Sequence, residues 1–212
     1  MTTRWPASDR ESGPGDDALK AIAMLIRDDE VVILPTDTVY GLHGKALSET
    51  AAARIGELKG RADDKPYVVL CATPRDLDLM GVTATSDITS YLIEAWPASL
   101  TAVLPIEVPI PASRGKLSLA IRIPRLPWLR HLMESTGPLI STSVNRSGGP
   151  EASEVADIEP EIAGRVSGIV DSGPISGRAS TIVDFTSDPP SLLREGDFAF
   201  AQNLWKKARK SL

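Results

Sequence analysis

Four stretches of the chain gather polar and charged side chains at the ends of apolar runs. The first is Pro35-Thr36-Asp37-Thr38-Val39-Tyr40-Gly41-Leu42, where two threonines, a carboxylate and a phenol directly follow Val31-Val32-Ile33-Leu34. Open α/β sheets bind ligands at strand carboxyl ends, so these groups could hold a small substrate. A polar turn in which Asp37 bonds its own backbone accounts for the same residues. The second stretch is Lys59-Gly60-Arg61, with Lys65 four residues later. Lysine offers a point charge and arginine a planar fork, so the group could grip a polyphosphate, with Gly60 letting the backbone bend. Cations at the negative end of a helix are the alternative. The third stretch is Ser141-Thr142-Ser143-Val144-Asn145-Arg146-Ser147-Gly148-Gly149. It offers neutral donors and a backbone able to form an anion nest, or it is a hydrophilic turn. The fourth group is dispersed: Arg122 in an apolar strand, Ser180-Thr181 opening another, and Arg194 closing a third. A buried arginine must be paired, either with a ligand carboxylate or phosphate or with an internal Asp or Glu.

Familiar alternatives are missing from the sequence. It has no Gly-x-x-x-x-Gly-Lys-Ser/Thr loop, no Gly-x-Gly-x-x-Gly fingerprint, no Gly-x-Ser-x-Gly elbow and no zinc-spaced Cys or His pairs. A nucleotide site would need a different phosphate cradle. With only His43 and His131, no His-rich metal site is expected, and no metal ligands are assigned.

The elements that must position these groups follow from patterning. Residues 1–15 are polar, with Gly13-Pro14-Gly15, and read as a disordered tail. Asp16 and Asp17 precede a helix with Leu19, Ile22, Ala23 and Ile26 on one face. Val31–Leu34 reads as a buried strand, and Ser48 can cap a helix carrying Ala51, Ala52, Ile55 and Leu58. Further strands are expected at Tyr67–Ala72, Leu100–Leu104, Leu117–Ile123, Leu139–Ser143, Gly168–Asp171, Thr181–Phe185 and Leu192–Arg194. Helices are expected at Pro74–Met80, Asp87–Trp96 and Trp128–Glu134, with a broken helical stretch at Val155–Val166. Phe198–Leu212 reads as a helix whose basic end (Lys206, Lys207, Arg209, Lys210) is either solvated or touches RNA or a partner. Alternating strands and helices predict an α/β domain, and the short late strands predict a mixed sheet.

The 212 residues carry a net charge of −5 and 42% hydrophobic residues, enough for a packed core in one domain. The acidity disfavours a protein that coats nucleic acid but leaves room for a local basic pocket. No apolar run approaches a membrane span, and residues 1–17 lack the apolar core of a secretory signal. Cys71 is the sole cysteine and lies in an apolar run, where an inert buried thiol is expected. The cytoplasm fits these features.

Taken in order, six segments resemble the YrdC-like family of threonylcarbamoyl-adenylate synthases. They are Pro35–Leu42; Lys59-x-Arg61 with Lys65-Pro66; Arg122-Ile123-Pro124; Ser143-x-Asn145 with Ser147-Gly148; Ser180–Asp184; and Leu193-Arg194-Glu195-Gly196. The resemblance spans residues 16–196 and implies a single α/β catalytic domain, with a twisted mixed sheet flanked by helices and a concave basic ligand face. It implies that L-threonine, bicarbonate or CO2, and ATP with its Mg2+ give threonylcarbamoyl-AMP and pyrophosphate. A separate tRNA threonylcarbamoyltransferase would use the product for N6-threonylcarbamoyladenosine. By resemblance Lys59, Arg61, Lys65, Thr101, Ser143, Asn145 and Arg194 meet ATP, with Lys59, Arg61, Ser143 and Asn145 carrying catalysis. Thr36, Arg122 and Ser180 meet threonine, with Arg122 on its carboxylate. Two departures stand out: Leu70 occupies the place of a frequent substrate-contacting histidine, and Val144 replaces the usual alanine. No extra C-terminal domain is expected, only the helix over residues 197–212. The competing readings are a same-fold sibling with another adenylate or hydrolytic activity, and a double-stranded-RNA or ribosome-binding module using the same face.

Overall fold

The computed structural model describes residues 2–60, 65–146 and 149–200. Along the chain the strands and helices are β1 (Thr3–Pro6), α1 (Asp16–Arg27), β2 (Val32–Pro35), β3 (Tyr40–Lys45), α2 (Glu49–Leu58), β4 (Val68–Leu70), α3 (Asp76–Leu79), α4 (Ser86–Ala95), β5 (Leu100–Pro105), β6 (Ser118–Arg122), α5 (Pro127–Thr136), β7 (Leu139–Ser143), α6 (Pro160–Arg165), β8 (Gly168–Asp171), β9 (Thr181–Asp184) and β10 (Ser191–Arg194). The strands form one ten-stranded sheet in the order β1-β8-β2-β3-β7-β4-β6-β5-β9-β10. It is mixed: β1/β8, β2/β8, β4/β6 and β5/β9 run parallel, and the other neighbours antiparallel. The expected α/β class and mixed sheet are observed.

Because side chains alternate along a strand, the ladder register sorts residues by face. Ile33, Leu42, Val69, Ile121 and Ile140 point to one side and join a core that also takes in Ile55 and Leu58 of α2 and Leu92 of α4. The other side is covered by helices over only part of its area. There Val32, Leu34, Leu70 and Leu139 pack with Ile22 and Ile26 of α1 and with Leu129 and Leu132 of α5. Where α1 and α5 stop, the same face continues as polar residues and opens to solvent.

Two local expectations are met in detail. Ser48 caps α2, its hydroxyl accepting from Ala51 N at 3.1 Å. The stretch over Val155–Val166 is broken, with a 3-10 turn at Val155–Asp157 ahead of α6.

Two others need correction. Part of the segment read as a disordered tail is the edge strand β1, paired in parallel with β8. Trp5 lies over Gly168, where a β-carbon would stand 2.5 Å from the ring. Further along, Trp128 Nε1 donates to Arg10 O at 2.9 Å. Polar composition concealed a strand anchored by its one indole and by backbone pairing. The second correction is β3, which lay inside the presumed ligand loop. It pairs with β2 and β7 on both sides despite Gly41, His43 and Gly44. The expected C-terminal helix begins as non-helical chain at Phe198–Phe200, and its remainder lies outside the described residues.

Candidate active site

The open part of the face is a cleft of about 190 Å³, lined from the β2–β3 turn, β3, the start of β4, the ends of β6 and β7, Glu151, the start of β9 and Arg194 of β10. Five sequence-predicted site residues line it: Thr36, Arg122, Ser143, Ser180 and Arg194. Three more stand directly behind these: Thr101, Lys59 and Asn145. Lys65 is exposed and does not line the cleft. Arg61 lies outside the described residues, as do Ser147 and Gly148.

The β2–β3 turn is built by Thr36, not by Asp37. Thr36 Oγ1 accepts from Thr38 N and Val39 N, each at 3.1 Å, and donates to Val39 O at 2.7 Å. This frees the Asp37 carboxylate for longer-range work. Its Oδ2 accepts from Arg125 N at 3.2 Å, and its Oδ1 stands 3.5 Å from Arg122 Nη1. Both side chains of this ion pair are about 95% buried. Arg122 also donates from Nη1 to Thr38 Oγ1 at 3.0 Å. Burial lowers the Arg122 pKa, the Asp37 charge opposes that fall, and Arg194 adds to it. Arg122 thus has the internal carboxylate partner that the sequence left as an alternative, and it still faces the cleft.

A second cluster joins α2 to the end of β7. Lys59 is the C-cap of α2, and Gly60 follows at φ +58°, the left-handed turn that ends the helix. The buried Lys59 ammonium donates to Ser143 O at 2.6 Å, Asn145 O at 2.8 Å and Asn145 Oδ1 at 3.0 Å. Ser143 Oγ donates to the same Asn145 Oδ1 at 2.6 Å. Asn145 Nδ2 donates to Gly149 O at 2.5 Å. Lysine, serine and asparagine form one rigid unit at the rim of the cleft.

A third cluster brings β5, the start of β9 and β10 together at the cleft. Thr101 and Ser180 share a hydroxyl hydrogen bond of 2.9 Å. Arg194 donates to Ser180 O at 3.0 Å and to Ser180 Oγ at 3.1 Å. Burial lowers the Arg194 pKa, and the Glu151 carboxylate acts against that. Glu151 is a lining residue that carried no signal in the sequence. Thr38 and Ser141, both in the polar stretches marked in the sequence, line the cleft as well, Thr38 where a substrate hydroxyl could be hydrogen-bonded.

The segment between β8 and β9 that delivers Ser180 is held by close backbone contacts. Tyr40 Oη donates to Gly173 O at 2.8 Å and accepts from Ser172 N at 3.0 Å. At Gly177 a β-carbon would stand 2.1 Å from Thr38 O. An added methyl must therefore push the segment off the β2–β3 turn. Gly177→Ala is expected to cost about 1–3 kcal/mol, as overpacking does. Thermal unfolding of the unliganded protein measures this, and an unchanged Tm would show that the segment does not rest on Thr38.

Buried hydroxyls, two arginines and a lysine-organised loop surround one cleft of an α/β domain, an arrangement suited to a small anionic ligand. The family model described as "Telomere recombination" (Sua5/YciO/YrdC) matches residues 24–196, and the chain belongs to that family. The threonylcarbamoyl-AMP synthase of Bacillus subtilis is 35% identical over 202 residues, 92% of this chain and 58% of its own length. That of Pyrococcus abyssi is 34% identical over 182 residues, 84% of this chain and 54% of its own. The chain thus spans a little over half of these curated relatives. Among solved structures, P. abyssi Sua5 complexed with L-threonine aligns with TM-score 0.82 at 29% identity, over 98% of this chain and 60% of that one. E. coli YciO aligns with TM-score 0.83 at 23% identity, over 95% and 99% of the two chains, and shares the fold.

Proposed function

We propose that the cleft makes threonylcarbamoyl-AMP. L-threonine, bicarbonate and ATP would give the adenylate, pyrophosphate and water, with Mg2+ arriving as part of the ATP substrate. The observation that carries this reading is that one cleft is lined both by Arg122 and Thr38, backed by Asp37, and by Ser143 of the Lys59–Ser143–Asn145 unit. The first suits an amino-acid carboxylate, and the second suits a nucleotide. Relatives named threonylcarbamoyl-AMP synthase, and a related structure holding L-threonine, support the same reading.

In this mechanism the threonine amine captures CO2 as a carbamate. A carbamate oxygen attacks the α-phosphorus, and the bond to the pyrophosphate oxygen breaks. Charge grows on phosphate oxygens, so the protein contributes positioning and electrostatic stabilisation, with no covalent nucleophile. Arg122 takes the threonine carboxylate with one edge while Asp37 holds the other, and Thr36, Thr38 and Ser180 surround the substrate. Lys59 supplies positive charge on the ATP side, and Arg61 and Lys65 are assigned to ATP by the family resemblance alone. Lys59 also fixes the loop from which Ser143 and Asn145 bond the nucleotide, while Arg194 and Thr101 complete that side through Ser180. The product would pass to a separate tRNA threonylcarbamoyltransferase.

Pyrophosphate release with ATP, bicarbonate and each amino acid in turn tests the assignment. A site that hydrogen-bonds a substrate hydroxyl discriminates against an analogue lacking it by up to ~10⁴-fold or more. Threonine is expected to stimulate release far above valine. Equal stimulation by the two would remove threonine as the substrate.

A further inference from the structure

Beneath the cleft lies a histidine to which the proposed reaction gives no proton to move. His43 of β3 is wholly buried, in register with Val32 of β2 and Ser141 of β7. Its ring lies over Gly41, where a β-carbon would stand 2.8 Å from Cε1 and 3.2 Å from Nε2. Nε2 is 3.1 Å from Ser141 Oγ, and Ser141 lines the cleft. Nδ1 is buried with no hydrogen-bond partner among the described residues. Desolvation holds the ring's pKa at about 3, the Gly41 backbone opposes that fall, and the Arg122 charge adds to it. His43 is therefore neutral, and one ring nitrogen carries a single proton.

The surroundings select which one. A proton on Nδ1 would find no hydrogen bond of normal geometry among the described residues, whereas a proton on Nε2 meets Ser141 Oγ at 3.1 Å. With Nε2–H donating, the Ser141 oxygen is occupied as an acceptor, and its own proton is left to point into the cleft. Arg122 is close enough for its charge to act on the ring, so the hydroxyl and the guanidinium serve the same region. Arg122 already shares its charge with Asp37. A second donor beside it strengthens the hold on an anion.

We propose that His43 is a positioning residue that, by donating to Ser141, turns the Ser141 hydroxyl into a hydrogen-bond donor for the substrate carboxylate that Arg122 faces. This rests on the reading of the cleft as a threonine site. It gives the chain a buried imidazole that sets substrate affinity without taking part in proton transfer.

Nitrogen-15 NMR of the wild-type protein, unliganded, reads the first half. The His43 ring is expected as the neutral Nε2–H tautomer, unchanged from pH 5 to pH 8. An Nδ1–H tautomer, or titration in that range, overturns the proposal whatever the activity. Kinetics read the second half. Ser141→Ala is expected to raise the threonine KM about tenfold or more, the usual loss for a hydrogen bond to a charged group. The ATP KM should stay close to wild type. His43→Leu should reproduce that split, His43→Gln should recover part of it by restoring an N–H donor, and the Ser141→Ala/His43→Leu double variant should be no worse than Ser141→Ala alone. Multiplying effects, or an equal rise in the ATP KM, would mean that His43 acts only through packing. Wild-type protein without any threonine-dependent pyrophosphate release would remove the substrate and both readings together. A threonine-dependent enzyme with the Nδ1–H tautomer would remove this one alone.

Discussion

Lys59→Ala is expected to lower threonine-dependent pyrophosphate release by at least about a hundredfold and to lower stability at the same time. The rate loss follows from removing a positive charge beside developing phosphate charge, which costs about 10²–10³ in turnover. The stability loss follows from the three oxygens its ammonium binds, at Ser143 O, Asn145 O and Asn145 Oδ1. Hydrogen bonds to a charged group contribute about 1.5–3 kcal/mol, and a chain of this size shifts Tm by about 2–4 °C per kcal/mol. A surface cation on a helix dipole would instead contribute about 0.3–1 kcal/mol. Thermal unfolding and steady-state turnover on the same variant check both effects. A lower Tm with normal turnover would make Lys59 a strut of the β7 loop with no part in the reaction.

Arg122→Leu is expected to be the most destabilising substitution in the cleft. It leaves Asp37 buried beside an apolar side chain, with Arg125 N as its remaining described hydrogen-bond donor. Breaking a buried ion pair by removing one partner costs about 3–5 kcal/mol, which corresponds to a Tm fall of roughly 6–20 °C. Arg122→Lys separates charge from shape. It preserves a cation near Asp37 but loses the planar fork, so it should retain most of the stability while raising the threonine KM. Raised threonine KM with unchanged ATP binding supports the carboxylate role. Weakened ATP binding with normal threonine affinity would place Arg122 on the nucleotide instead.

These two residues also mark what could be read from the sequence. Lys59 at a helix end and Arg122 in an apolar strand were visible as unusual cations. Their partners were not, because Lys59 meets residues 84 and 86 positions away, and Asp37 lies on a different strand connection from Arg122. Such pairings are set by sheet order, which local pattern does not encode. Strand β7 and the helix capped by Ser48 were legible because their apolar spacing and cap agree with their final state. Strand β3 was not, since Gly41, His43 and Gly44 have poor strand preference and the strand exists because β2 and β7 claim its two edges. The same blindness hid His43, whose role depends on the neighbour that the ladder puts beside it. Thr36 shows the reverse case. Its position was legible, but the turn alternative rested on Asp37, whereas the Thr36 hydroxyl builds the turn.

The product of the reaction tests the central claim most directly. The protein is incubated with ATP, L-threonine and carbon-13-labelled bicarbonate, and the adenylate fraction is analysed by mass spectrometry. The expected species contains AMP, threonine and one labelled carbon, and it forms in step with pyrophosphate. An adenylate of threonine without the labelled carbon, or AMP released with no adduct, would contradict the assignment of this cleft to carbamate adenylation.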